Sequence, residues 1–122
     1  MTKYALKFIN ERLKEAGINY EFGSWTTDIK YPYFTGEYTE SPVDREDGHQ
    51  ETDFILNGFH RGTWLELEEA REAIEDAFNY ATTILEDGSG VDVSYNGALT
   101  IPETDETLKR LQINIKINTW KV

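Results

Sequence analysis

Cysteine is absent from this chain of 122 residues, so no disulfide framework and no thiolate chemistry can shape it. That leaves the compartment unconstrained and makes an intracellular one the simpler expectation. Histidine occurs only twice, at His49 and His60, which are not spaced as a helical or zinc-type pair and have no cysteine partner. Both read as ordinary surface histidines, and no metal site is expected. Positive charge is sparse: 12 Lys and Arg stand against 23 Asp and Glu, a formal balance of -11. Such a surface repels phosphate and disfavours ordinary nucleic-acid binding. No apolar run approaches the roughly 18 residues of a membrane span, and Met1 to Ile9 holds no uninterrupted apolar stretch. The expectation is a protein that is neither membrane-embedded nor secreted by the usual signal. What is present, 39% hydrophobic and 13% aromatic residues, is too apolar for a disordered chain. A length of about 120 residues suffices to bury roughly two thirds of the unfolded surface in one domain, read here as residues 1–122.

The acidic charge falls in two blocks. Glu37, Glu40, Asp44, Glu46, Asp47, Glu51 and Asp53 surround only Arg45, and Glu66, Glu68, Glu69, Glu72, Glu75, Asp76, Glu86 and Asp87 surround only Arg71. The plain reading of both is a solvated loop and a solvated helix face.

Thr2 to Ala16 places Leu6, Ile9, Leu13 and Ala16 at helical spacing, with Thr2 to cap the start and Gly17 to end the helix. Ile18, Tyr20 and Phe22 alternate with polar residues as a strand does. Ile29 to Thr39 is rich in Tyr, Phe, Ile and Thr, and Pro32 within it argues for an edge strand or a bulge, with Gly36 letting the strand bend. Ser41 to Gln50 is a polar loop, long for a hairpin, expected to be mobile until a partner orders it. Glu51 to Phe59 resumes strand character through Phe54, Ile55, Leu56 and Phe59. Thr63 and Glu66 then form the capping-box pattern ahead of a long one-sided helix, Leu67 to Leu85, closed by Gly88. Asn96-Gly97 between Val91–Tyr95 and Ala98–Ile101 suits a tight type I′ hairpin. The last segment alternates most cleanly, with Leu111, Ile113, Ile115 and Ile117 on one side and Gln112, Asn114, Lys116 and Asn118 on the other.

These elements predict an α+β domain with two helices packed on one face of a mainly antiparallel sheet, in the order helix, three strands, helix, two or three strands. The sheet's other face is then polar or meets a partner. Tyr31, Tyr33, Tyr38, Trp25, Trp64 and Trp120 supply more ring surface than one small core readily absorbs, so they divide between core and interface.

Catalytic signals are weak. Asp44, Asp47, Glu51 and Asp53 suggest calcium, but Gly48 misses the sixth position of an EF-hand loop. Gly88-Ser89-Gly90 follows a helix where a phosphate cradle would open one. With so many carboxylates, any acid–base pair can be imagined, which removes its value as a signal. The expectation is a non-enzyme without cofactors. One non-enzymatic alternative is a DNA mimic, in which the acidic blocks present carboxylates to a nucleic-acid-binding protein.

Tyr31-Pro-Tyr-Phe-Thr-Gly-Glu-Tyr-Thr-Glu40, the acidic loop from Asp44 to Asp53, Phe54-Ile-Leu-Asn-Gly-Phe-His-Arg-Gly62 and the long helix from Thr63 follow one another in order. In this the chain resembles the small tail-terminator, or tail-completion, proteins of siphophages and prophages of Gram-positive bacteria. The resemblance implies two helices on an antiparallel sheet and a homo-oligomeric ring, expected to be a hexamer. It also implies a role at the head-proximal end of the tail tube, where the ring stops tube growth and meets the head–tail connector protein. The location implied is the virion tail, assembled in the host cytoplasm. A related protein that joins tail to head, acting first as a monomer, is the alternative within the same resemblance. Candidate partner contacts are Tyr31, Tyr33 and Tyr38 on the aromatic strand, Asp44, Arg45, Glu46 and Asp47 in the loop, and Arg61 and Trp64 at the start of the long helix. Trp64 reads equally well as a ring packed beside the capping box.

Overall fold

The computed structural model describes residues 1–121. Thr2 accepts a hydrogen bond from the Ala5 amide at 3.2 Å and starts helix α1 (Lys3–Glu15); Gly17, at φ +75°, ends it. Strands β1 (Tyr20–Phe22), β2 (Tyr33–Glu40) and β3 (His49–His60) follow, then helix α2 (Trp64–Phe78) and strands β4 (Ala81–Ile84), β5 (Gly90–Ile101) and β6 (Lys109–Trp120). They form one six-stranded sheet in the order β1-β2-β3-β6-β5-β4. Every neighbouring pair is antiparallel except β1 and β2, which run parallel because the chain from Gly23 to Pro32 returns to the end of the sheet where β1 began. The fold class is α+β, with a mixed sheet.

The core lies between the helices and one sheet face. Ala5, Ile9 and Leu13 of α1 and Leu67, Ile74 and Phe78 of α2 meet Phe34, Phe54, Leu56, Val91, Val93 and the alternating Leu111, Ile113, Ile115 and Ile117. Each large side chain so buried contributes about 1.5–3 kcal/mol. Thr63 and Glu66 close the expected capping box: Thr63 Oγ1 accepts from the Glu66 amide at 3.2 Å, and Glu66 Oε1 accepts from the Thr63 amide at 3.3 Å. Arg12 ties the helices together by donating to the Ala77 carbonyl at 2.7 Å, an orphan acceptor of the last turn of α2.

Three local expectations are corrected. Helix α2 stops at Phe78, well before Leu85, because Ala81-Thr-Thr-Ile84 pairs with β5 and sheet pairing outweighs the continuing apolar period. The reversal passes through Tyr80 at φ +58°, and Gly88 serves the β4–β5 turn instead of a helix end. Val91 to Ile101 is one strand with a register shift between Tyr95 and Ala98, so Asn96-Gly97 makes a bulge in place of a hairpin turn; β6 supplies an unbroken partner along the whole length. Strand β2, by contrast, has no bulge. It pairs in continuous register with β3, Pro32 precedes its first residue, and β1 covers its outer edge from Phe34 to Gly36. Gly36 is small because rings cross it: a Cβ there would stand 2.7 Å from Tyr20 Oη and 2.8 Å from Phe54 Cζ.

Candidate functional site

The sheet face away from the helices has no layer over it among the described residues. Its centre is polar, with Asn57, Gln112, Asn114, Lys116 and Asn118 carried by the outward parity of β3 and β6. At the end where β3 finishes and β6 begins, that parity brings rings together. Tyr33 of β2 lies opposite Phe59 of β3, with ring centroids 5.0 Å apart, and Trp25 packs on Tyr33 at 5.0 Å. Tyr31 stands 5.6 Å from Tyr33, and the Arg110 guanidinium lies 5.5 Å from the Phe59 ring centre. None of Tyr31, Tyr33, Tyr38, Trp25, Trp64 and Trp120 is buried; the core rings are Phe34, Phe54 and Phe78. All six therefore remain outside the core.

Arg61 holds this platform to its surroundings. Its Nε donates to the Tyr31 hydroxyl at 3.1 Å, while one terminal nitrogen donates to Asp105 at 2.8 Å and to Thr107 at 2.6 Å. The Arg61 bond, with those from Thr107, holds the Asp105 carboxyl down to about 2. Trp64, 44% exposed, sits beside the cap of α2 with Lys109 Nζ 6.0 Å from its ring centre. Tyr31, Tyr33, Arg61 and Trp64 thus gather at one end of the sheet. Tyr38 does not join them, because five positions from Tyr33 it takes the opposite face and stacks on Phe22 at 6.1 Å.

Asp44, Arg45, Glu46 and Asp47 lie in the β2–β3 connection, at the far end of the strands. This loop carries its own hydrogen bonds. Asp44 Oδ1 accepts from the Glu46 amide at 2.8 Å, Asp47 Oδ1 from the His49 amide at 2.9 Å, and the Asp44 carbonyl from Gly48 at 2.9 Å. The carboxylates of α2 are also engaged in part: Glu68 and Glu75 lie 2.8 and 3.6 Å from Arg71, and Glu66 closes the cap. Two blocks held this way form no single array, so the DNA-mimic reading gains nothing from the geometry.

Of the two histidines, His60 differs from the surface role expected, because β3 extends to its position and buries it, whereas His49 stays half-exposed. His49 stacks on Trp120 at 5.0 Å and meets Asn118 Oδ1 at 2.9 Å; His60 is buried, with Nε2 3.3 Å from Glu66 Oε2 but outside hydrogen-bond geometry. No group of three or more potential metal ligands occurs among the described residues. No helix among them is long and apolar enough to cross a membrane. Sequence reading named Trp25 among the rings that divide between core and interface, but missed Phe59, Arg110 and Asp105 as members of the platform. The signal for Phe59 was available, since its parity opposes Phe54 and Leu56 on the same strand.

No protein-family model matches the chain, and no curated protein matches it. Among solved structures it is similar to a chain of "Virion of native gene transfer agent (GTA) particle", with a TM-score of 0.69 and 11% sequence identity, covering 92% of this chain and 91% of that one. The likeness is one of fold. At that identity, side chains of the platform and the loop owe nothing to the comparison, and their placement rests on the geometry above.

Proposed function

We propose that this protein is a structural component of a phage-like virion, and within it a tail terminator: a ring that caps the head-proximal end of the tail tube and prepares it for the head. The observation that carries the reading is the fold shared, over nine tenths of both chains, with a chain of a gene transfer agent virion. The motif order from Tyr31 to the start of α2 supports the narrower role. So does the arrangement of surfaces, because a cap needs separate contacts for its neighbours in the ring, for the tube and for the connector. The aromatic platform and the acidic loop stand at opposite ends of β3 and meet that need without an active site. No catalysis, cofactor or membrane contact enters this role. The chain acts on the virion tail and is assembled in the host cytoplasm.

The test is co-expression with the tail-tube subunit of the same virion. Tubes of defined length that end in a ring, expected to be six-fold, support the role, together with overgrown tubes when the chain is omitted. Tube lengths that do not change with the chain overturn it. A chain that leaves tube length alone but binds assembled heads moves the function to tail-to-head joining.

A further inference from the structure

The two helices carry opposite charge. Helix α1 has Lys3, Lys7, Arg12 and Lys14 against Glu11 and Glu15, whereas α2 has Glu66, Glu68, Glu69, Glu72, Glu75 and Asp76 against Arg71. They lie side by side, yet no ion pair joins them among the described residues; the link is Arg12 to the Ala77 carbonyl. Helical geometry explains this. Arg12 points to α2, while Lys3, Lys7 and Lys14, three cations against the single carboxylate of Glu11, line with Leu6 and Asn10 a shallow groove of about 280 Å³ on another side of α1 that has no α2 residue in its wall. On α2, Leu65, Glu69, Glu72 and Asp76 recur at spacings of four, three and four, and all are exposed, Leu65 by 70%. From Lys3 to Lys14 and from Leu65 to Asp76 each stripe covers the same number of residues, a rise of about 16 Å.

We propose that the lysine-lined groove of α1 receives the acidic outer stripe of α2 from a second copy of this chain, the lateral contact of the ring. The proposal rests on the ring reading above and names the faces that would build it. Within one molecule Lys3, Lys7 and Lys14 make no contact with the α2 stripe, whose last member, Asp76, borders the α1–α2 junction beside Arg12, so two stripes of equal length and opposite sign do not pair internally. They can pair head to tail, the heterologous contact that closes into a ring. Leu6 and Leu65 add apolar surface to a contact whose charges set register and partner. Lys7, which now meets the exposed Glu86 at 3.1 Å, would exchange that partner for Glu69 or Glu72.

The experiment compares self-association of the full chain by sedimentation equilibrium at low and high salt. It uses one variant with Lys3→Glu, Lys7→Glu and Lys14→Glu, another with Glu69→Lys, Glu72→Lys and Asp76→Lys, and an equimolar mixture of the two. Circular dichroism confirms that each is folded. Each variant alone is expected to associate at least about tenfold more weakly than the wild type, and the mixture to recover assembly with alternating subunits, all weakening as salt rises. A control with Asp28→Lys, Asp92→Lys and Glu106→Lys makes the same charge change outside both stripes and the acidic loop, and is expected to assemble as the wild type does. Wild-type rings that tolerate both helix variants, or a mixture no better than its components, overturn the helix pairing and leave the ring standing. A wild type that stays monomeric at low salt and high concentration overturns the pairing and the ring together.

Discussion

Replacing Gly58 with alanine tests the packing that holds β2 to β3. Gly58 faces the core opposite Phe34, and a Cβ built on it would lie 2.4 Å from Phe34 Cε1 and 2.9 Å from Cδ1. Phe34 is only 1% exposed, so its ring cannot swing into solvent to make room. Either the ring leaves its rotamer or the strands separate, and overpacking of this kind costs about 1–3 kcal/mol. Alanine's lower backbone entropy returns about 0.5–1 kcal/mol, leaving a net loss of about 1–2 kcal/mol. With a urea slope of about 1–3 kcal/mol/M for a domain of this size, the midpoint falls by about 1 M. Gly90 supplies the control: it begins β5, has nothing within 4 Å of its virtual Cβ, and is outside the positive-φ region. Gly90→Ala should be neutral or stabilising by up to about 1 kcal/mol. Equal midpoints for the two variants would refute the claim that the Phe34 ring lies on the Gly58 backbone. Adding Phe34→Leu to Gly58→Ala should cost less than the sum of the two single changes, since the smaller side chain relieves the clash.

Thr63→Ala removes the N-cap of α2 and should destabilise by about 1 kcal/mol in the same denaturation, whereas Thr63→Ser should cost little. Tyr80, at φ +58° and 82% exposed, sits in a conformation that costs a non-glycine residue about 1 kcal/mol, so Tyr80→Asn should raise the thermal midpoint by a few degrees. Asp105 has its folded value lowered from 3.8 to about 2, chiefly by Arg61, so its stabilising contribution is present above pH 3.8 and lost as pH falls toward 2. Carbon-detected NMR titration should find Asp105 ionised at pH 3 in the wild type and returned toward 3.8 by Arg61→Gln; an unchanged titration would remove Arg61 as the cause.

Regular alternation and capping were legible in the sequence because they are written in adjacent residues. Leu111 to Ile117 shows its buried parity directly, and Thr63 with Glu66 marks the start of α2 to the residue. Tertiary competition was not legible. Ala81 and Leu85 continue the helical apolar period of α2, and only the presence of β5 alongside converts them to a strand and its turn. Gly36 offered no local sign that the rings of Tyr20 and Phe54, from two other strands, would cross it. The platform failed for the same reason. Trp25, Phe59 and Asp105 are distant in sequence, and it takes the β2–β3 register together with the reach of Arg61 to assemble them.

The two ends of the sheet differ in chemistry, and this asymmetry matters more to the proposed capping role than either patch alone. Strand β3, with twelve residues, separates the platform from the acidic loop by on the order of 40 Å. A ring whose lateral contacts come from the helices keeps both ends free, one aromatic and arginine-bearing, the other carrying Asp44, Glu46 and Asp47. Two axial neighbours of different composition could then be told apart by charge at one end and by ring surface at the other. If so, the combination Asp44→Asn, Glu46→Gln and Asp47→Asn should abolish cosedimentation with one axial partner, tail tube or connector, while preserving the ring. Asparagine at the first and third positions still accepts from the Glu46 and His49 amides, so the turn survives and only charge is removed. Tyr31→Ala with Arg61→Ala should spare that partner and lose the other. Loss of the same partner by both variants would show that the strand axis does not run from one neighbour to the next, and the two ends would have to be assigned to a single interface.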